Sequence, residues 1–139
     1  MKSLNSKVYD LINANEPQKL REHLASGGDP NSPINDLGWT PLQLTIEIGH
    51  HKIFDVLLDA GADINGFDNH GFTVLHHAVD AEADGAIQTG EVPLPEFTHK
   101  LLNKGVKLSL KSKRGETAID LARKYQYDAF LKLVSKLFN

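Results

Sequence analysis

Cysteine is absent from this 139-residue chain. Disulfides, thiolate metal sites and thiol nucleophiles are therefore excluded. Long apolar runs are missing too. No stretch approaches the roughly 18 apolar residues of a membrane span, and the opening MKSLNSKVYDLINAN has no apolar run of signal-peptide length. A cytoplasmic protein is the expectation. No phosphate-cradling loop is present, because Gly27-Gly28 follows a predicted helix and lacks a subsequent Lys-Ser/Thr. No G-x-S-x-G elbow occurs. Aromatics are sparse, with a single Trp.

What remains is an ordinary globular composition, 40% apolar and 24% charged, of a size for one domain with a core. The net charge of −3 argues against a nucleic-acid binder, but it is unevenly spread. Met1 to Phe97 holds 5 Lys/Arg against 15 Asp/Glu, a net of −10. Thr98 to Asn139 holds 10 against 3, a net of +7. A globular fold can mix such ends, whereas an elongated, stacked fold keeps them apart and makes the molecule dipolar.

Self-similarity supplies the stack. Gly38-Trp39-Thr40-Pro41-Leu42-Gln43-Leu44 recurs as Gly71-Phe72-Thr73-Val74-Leu75-His76-His77 and again as Gly115-Glu116-Thr117-Ala118-Ile119-Asp120-Leu121. The block Leu57-Leu58-Asp59-Ala60-Gly61-Ala62-Asp63-Ile64-Asn65 recurs as Leu101-Leu102-Asn103-Lys104-Gly105-Val106-Lys107-Leu108-Ser109. A decayed copy lies at His23 to Asn31. Gly38 and Gly71 are 33 residues apart, and Gly71 and Gly115 are 44, so one unit is 11 residues longer. Thr40 before Pro41 suits a helix N-cap followed by Pro at the first helical position. Leu42, Leu44, Thr45 and Ile48 form a short first helix that Gly49 breaks. Ile53, Phe54, Val56, Leu57 and Leu58 form the apolar stripe of a second, ended by a left-handed cap at Gly61.

The segments GWTPLQL, GFTVLHH, GHHKIFDVLLDAGADIN and GETAIDLA resemble the ankyrin repeat over nearly the whole chain. The resemblance implies an all-α, short solenoid of stacked units, each a β-turn, two antiparallel helices and a loop. About four units are expected: an N-terminal cap pair over 1–37, a repeat over 38–70, a repeat over 71–114 with an expanded loop near 82–94, and a C-terminal cap repeat over 115–139. In the caps, Lys19, Glu22 and His23 replace apolar residues, Gln126 stands where the helix-breaking glycine is expected, and Lys132 and Lys136 interrupt an amphipathic closing helix. The capped ends suggest a complete stand-alone protein.

Seven histidines raise the question of chemistry. His76 and His77 diverge as helix neighbours and do not chelate one ion. His77 with Asp80 offers two ligands, a poor metal site. The structural reading is the stronger: His76 aligns with the repeat's own histidine, which in the family hydrogen-bonds within the turn scaffold. His23, His51, His70 and His99 have no carboxylate or cysteine at metal spacing in the sequence. A hydrolytic carboxylate pair among Asp84, Glu91 and Glu96 has no visible pocket. No enzyme, metal or cofactor is expected.

The resemblance implies protein recognition on a concave face of turn tips and first-helix positions. These are Ile34, Asp36, Leu37 and Trp39 with Glu47 and Ile48; Phe67, Asn69, His70 and Phe72 with Asp80 and Ala81; and Lys111, Lys113, Arg114 and Glu116 with Lys124 and Tyr125. Trp39, Phe67 and Phe72 are aromatic where a solvated turn is polar, which suits interface anchors; packing on neighbouring turns is the alternative. Lys113 and Arg114 form a basic step that serves either contact or solvation. In the expanded unit, Glu82, Asp84 and Glu91 make an acidic loop, with Ile87, Val92 and Leu94 as apolar points. Such an insertion either enlarges the binding surface or is tolerated because loops lengthen cheaply. The favoured function is binding by occlusion, as an inhibitor or an immunity protein neutralising a toxin or enzyme. The partner would be a protein, suited to be basic, such as a nuclease, with no small-molecule substrate, direct nucleic-acid contact or membrane involved. The alternative is an adaptor joining two proteins.

Overall fold

The computed structural model describes residues 5–138. The outermost residues of the two expected caps, 1–4 and 139, lie outside the described residues. Among the described residues, eight α-helices follow one another in four antiparallel pairs. They are α1 (Ser6–Asn13) with α2 (Pro17–Ala25), α3 (Pro41–Ile48) with α4 (His51–Asp59), α5 (Val74–Thr89) with α6 (Glu96–Asn103), and α7 (Ala118–Lys124) with α8 (Asp128–Phe138). No strand occurs among the described residues; an isolated antiparallel bridge joins Phe67 and Thr73 across one turn.

Helix starts and stops follow from local chemistry. Thr40, Thr73 and Thr117 each accept the N3 backbone N–H through the side chain. The N3 residues Gln43, His76 and Asp120 reciprocate to the cap backbone, so two orphan donors are satisfied at each start. Helix α3 ends where Gly49 turns left-handed at φ +90°, and Gln126 takes the same region after α7 at φ +55°.

The first helices pack as a row α1, α3, α5, α7, and the second helices lie behind them, α2 against α4 and α6 against α8. The core between the rows holds Val8, Ile12, Leu20, Leu42, Ile53, Phe54, Leu57, Leu75, Ala78, Leu101, Tyr127 and Phe130, all under 2% exposed. Full burial of each Leu, Ile or Phe side chain contributes roughly 1.5–3 kcal/mol. An isolated pair buries only one of its faces, so the units stabilise one another.

Turns are stitched across units. Asn35, Asp68 and Ser112 occupy one repeat position, and each side chain accepts backbone N–H groups from its own turn. The Asn69 N–H donates to Leu37 O, Asn69 Nδ2 donates to Asp36 O, and the Lys113 N–H donates to His70 O. Gly38 sits at φ +76° against this stitching: a Cβ there lies 2.4 Å from Asn69 Oδ1.

Two expectations are corrected. Ile34, expected at an exposed turn tip, is 3% exposed, because its position before the turn directs the side chain into the core. The segment 82–94, expected as a loop, is helical as far as Thr89; α5 has 16 residues where α3 has 8. The reason is the residue at the equivalent of Gly49, which here is Glu82. Without a left-handed residue at that point the helix runs on for two turns and stops at Gly90, φ +76°. A short loop of Glu91 to Pro95 then leads to α6.

Candidate partner-binding groove

The turn tips and the exposed edge of α3, α5 and α7 enclose an open groove of about 490 Å³. Of the residues singled out by sequence, it brings together Trp39, Glu47, His70, Phe72, Asp80, Lys113, Arg114, Glu116, Lys124 and Tyr125. Asp36, Leu37, Phe67, Asn69, Glu82, Asp84 and Glu91 do not line it. It adds Asp68, His77, Ser112 and Leu121.

Aromatic side chains form its centre. The Trp39 ring stands edge-on to the His77 imidazole, 4.6 Å between centroids at 85°. Phe72 lies 4.9 Å from His76 and 6.3 Å from His77. Both aromatics are half-buried, so they pack on the histidines of α5 and still present surface to the groove. Phe67 is 65% exposed and points elsewhere.

His77 occupies the position of Leu44 and Leu121 in the other units. Its Nε2 lies 3.1 Å from Glu47 Oε2, while buried Nδ1 has no partner. The ring proton therefore sits on Nε2, facing the carboxylate. This bond holds the Glu47 carboxyl below its ordinary range, against the opposing effect of burial. His76 is structural. Its Nδ1 accepts from the Thr73 N–H and lies 2.7 Å from Thr73 Oγ1, and its Nε2 donates to Glu116 O at 2.8 Å. Burial pushes its pKa down, which suits a neutral ring spanning two units.

Tyr125 closes the far wall. Its hydroxyl donates to Asp80 Oδ1 at 2.5 Å, and this bond, with burial, raises the phenol well above its ordinary range. Two residues on, Tyr127 donates to Glu82 Oε1 at 2.7 Å. Glu82 also accepts from the N–H groups of Phe97 and Thr98 at 2.7 and 3.1 Å and from Thr98 Oγ1 at 2.8 Å. It thus caps α6, whose own N-cap is Pro95 without a side-chain bond. Burial raises the Glu82 carboxyl above its ordinary range even though all four bonds favour the anion. Glu82 was expected on a solvated loop; it is turned inward as an internal tie. Asp84 bonds to Gln88 along the helix surface, and Glu91 is exposed beyond Gly90. Asn69 is committed to the turn stitching.

The second helices carry further pairings across units, one of which the sequence spacing concealed at a histidine. His51 stacks on Phe97 at 4.0 Å and its Nε2 lies 2.8 Å from Glu96 Oε2. Among the described residues no group of three or more His, Cys, Asp or Glu is placed to hold a metal ion.

Helix pairs joined by hydrogen-bonded turns, with an open groove on the turn side, define a repeat solenoid built as a binding scaffold. Residues 10–89 match the family described as ankyrin repeats, in three copies. The chain is 31% identical over 115 residues to the Neurogenic locus Notch protein of Drosophila melanogaster, covering 83% of this chain and 4% of that protein. It is 25% identical over 133 residues to Ankyrin repeat domain-containing protein 13B of Mus musculus, covering 94% of this chain and 21% of that one. It is 34% identical over 85 residues to RelA-associated inhibitor of Mus musculus, covering 61% and 10% respectively. The chain thus spans a small fraction of the length of these relatives. It belongs to the ankyrin repeat family, whose repeats are protein–protein interaction modules and generally non-catalytic.

Proposed function

We propose that this chain binds a partner protein in the groove between Trp39 and Tyr125 and acts by occlusion, as an inhibitor or immunity protein of a toxin or enzyme, without catalysis of its own. The single observation that carries the reading is the aromatic centre. Trp39 and Phe72 pack against the histidines of α5 yet remain half-exposed in an open groove of about 490 Å³. Pre-ordered aromatic surface is the commonest source of binding energy at interfaces, because little entropy is lost on contact. The net −10 of residues 1–97 supports a basic partner, such as a nuclease. An inhibitor appears by name among the relatives, which supports the class and no particular target.

The test uses tagged protein and the Trp39→Ala/Phe72→Ala variant, with Lys104→Ala as a control far from the groove. The reading expects a stoichiometric partner that is lost with the double variant and kept with the control, and whose activity is blocked by the parent protein. Retention of the partner by the double variant refutes it.

The opposed charges of residues 1–97 and 98–139 support a second reading, an adaptor with two surfaces. It requires two partners to bind at once; mutually exclusive binding counts against it.

A further inference from the structure

One register of the groove changes sign along the stack. The seventh residue of three first helices faces it: Glu47 in α3, Asp80 in α5, Lys124 in α7. The turn tips change in the same sense, from Asp36 through Asn69 to Lys113. Glu47 remains 51% exposed and Asp80 is held by a phenol, which brings no positive charge. Lys113, Arg114 and Lys124 are exposed and make no ion pair among the described residues. The aromatic faces of Trp39 and Phe72 lie at the acidic end, where ring quadrupole and carboxylates both favour a cation. A polyanion such as nucleic acid fits only the basic end and meets Glu47 and Asp80 at the other.

Building on the groove reading above, we propose that the partner presents a dipolar segment. An Arg or Lys side chain lies between Glu47 and Asp80 against Trp39 and Phe72, and an Asp or Glu side chain reaches Lys113, Arg114 and Lys124. Packed helices stand about 10 Å apart. The cation site lies between α3 and α5 and the anion site at α7, so the two are about 15 Å apart on that spacing. An extended chain covers about 3.3 Å per residue, which separates the two charged side chains by about four or five residues. The segment's direction sets which comes first. Opposite placement brings like charges together, so the groove discriminates register as well as composition.

A random peptide library displayed on phage and panned against the full chain tests this. Enriched peptides should carry Arg or Lys and, about four or five residues away, Asp or Glu. The Lys113→Glu/Arg114→Glu/Lys124→Glu variant should bind them about tenfold or more weakly, and re-panning on it should return peptides that are basic at both positions. All three side chains are exposed, and circular dichroism checks that the helices persist. Enriched peptides without the paired charges overturn the proposal. So do peptides that are lost with Trp39→Ala/Phe72→Ala yet indifferent to charge reversal, an outcome that leaves groove binding itself standing. Peptides that bind the Trp39→Ala/Phe72→Ala variant undiminished remove the groove reading and this proposal with it.

Discussion

Replacing Glu82 by alanine strands four donors at once: the N–H groups of Phe97 and Thr98, the Thr98 hydroxyl and the Tyr127 hydroxyl. Thr98 and Tyr127 are fully buried. A lost helix cap costs about 1 kcal/mol, and each buried hydroxyl left without a partner about 1–3 kcal/mol. Water entering the vacated space offsets part of this, so the net loss is about 3 kcal/mol, or roughly 10 °C in Tm for a domain of this size. Glutamine should behave differently. Its carbonyl oxygen still accepts the two N–H groups, and its amide donates to the two hydroxyls, which turn to accept. It also carries no charge, so it escapes the penalty of burying an anion that raises the Glu82 carboxyl. Because the folded value lies above the ordinary one, the folded state holds this proton more tightly. The Glu82 contribution is therefore greatest below the ordinary carboxyl range and declines as pH rises through the folded value. Glu82→Gln lacks that decline. Urea denaturation followed by circular dichroism should thus rank the variants, near neutral pH, as Gln at or above the parent and Ala well below. The advantage of Gln should shrink on moving to mild acid. An alanine variant within about 0.5 kcal/mol of the parent, or a glutamine variant as damaged as alanine, refutes the assignment of Glu82 as the cap of α6.

Gly38→Ala and Gly49→Ala both place a side chain at positive φ, which costs about 1 kcal/mol. A Cβ on Gly49 meets open space, whereas one on Gly38 meets Asn69, so Gly38→Ala should be the more destabilising by about 1 kcal/mol or more in the same denaturation assay. Tyr127→Phe, which removes the hydroxyl bonded to Glu82, should lower stability by about 1–2 kcal/mol in the same assay. Gln43 is fully buried and its amide donates to Phe72 O at 2.9 Å, so Gln43→Ala should cost about 2–3 kcal/mol and loosen the turn that carries Phe72.

Much of the site was legible because the repeat fixes register. Aligning the units puts Trp39 with Phe72, and Glu47 with Asp80 and Lys124, on one line. His77 was also visible in principle, as a polar residue where Leu44 and Leu121 stand in the other units. Its place in the wall of the groove depends on Trp39, which stands against it from the neighbouring unit. The extension of α5 had a signal as well: Glu82-Ala83 replaces the Gly49-His50 step that ends α3. Gly85 is accommodated within the extended helix, and Gly90 takes the left-handed turn that ends it.

The amino-acid order alone determined the helix pairs, their threonine caps and glycine stops and the 33-residue period, because each depends on residues within about one turn of each other. Tertiary structure alone decided which carboxylates line the groove and which face inward. Asp80 meets Tyr125 and Glu82 meets Tyr127 across 45 residues. Glu82 turns inward because stacking the last two units brings α6 and Tyr127 to the helix extension, and no periodicity in the chain encodes that distance.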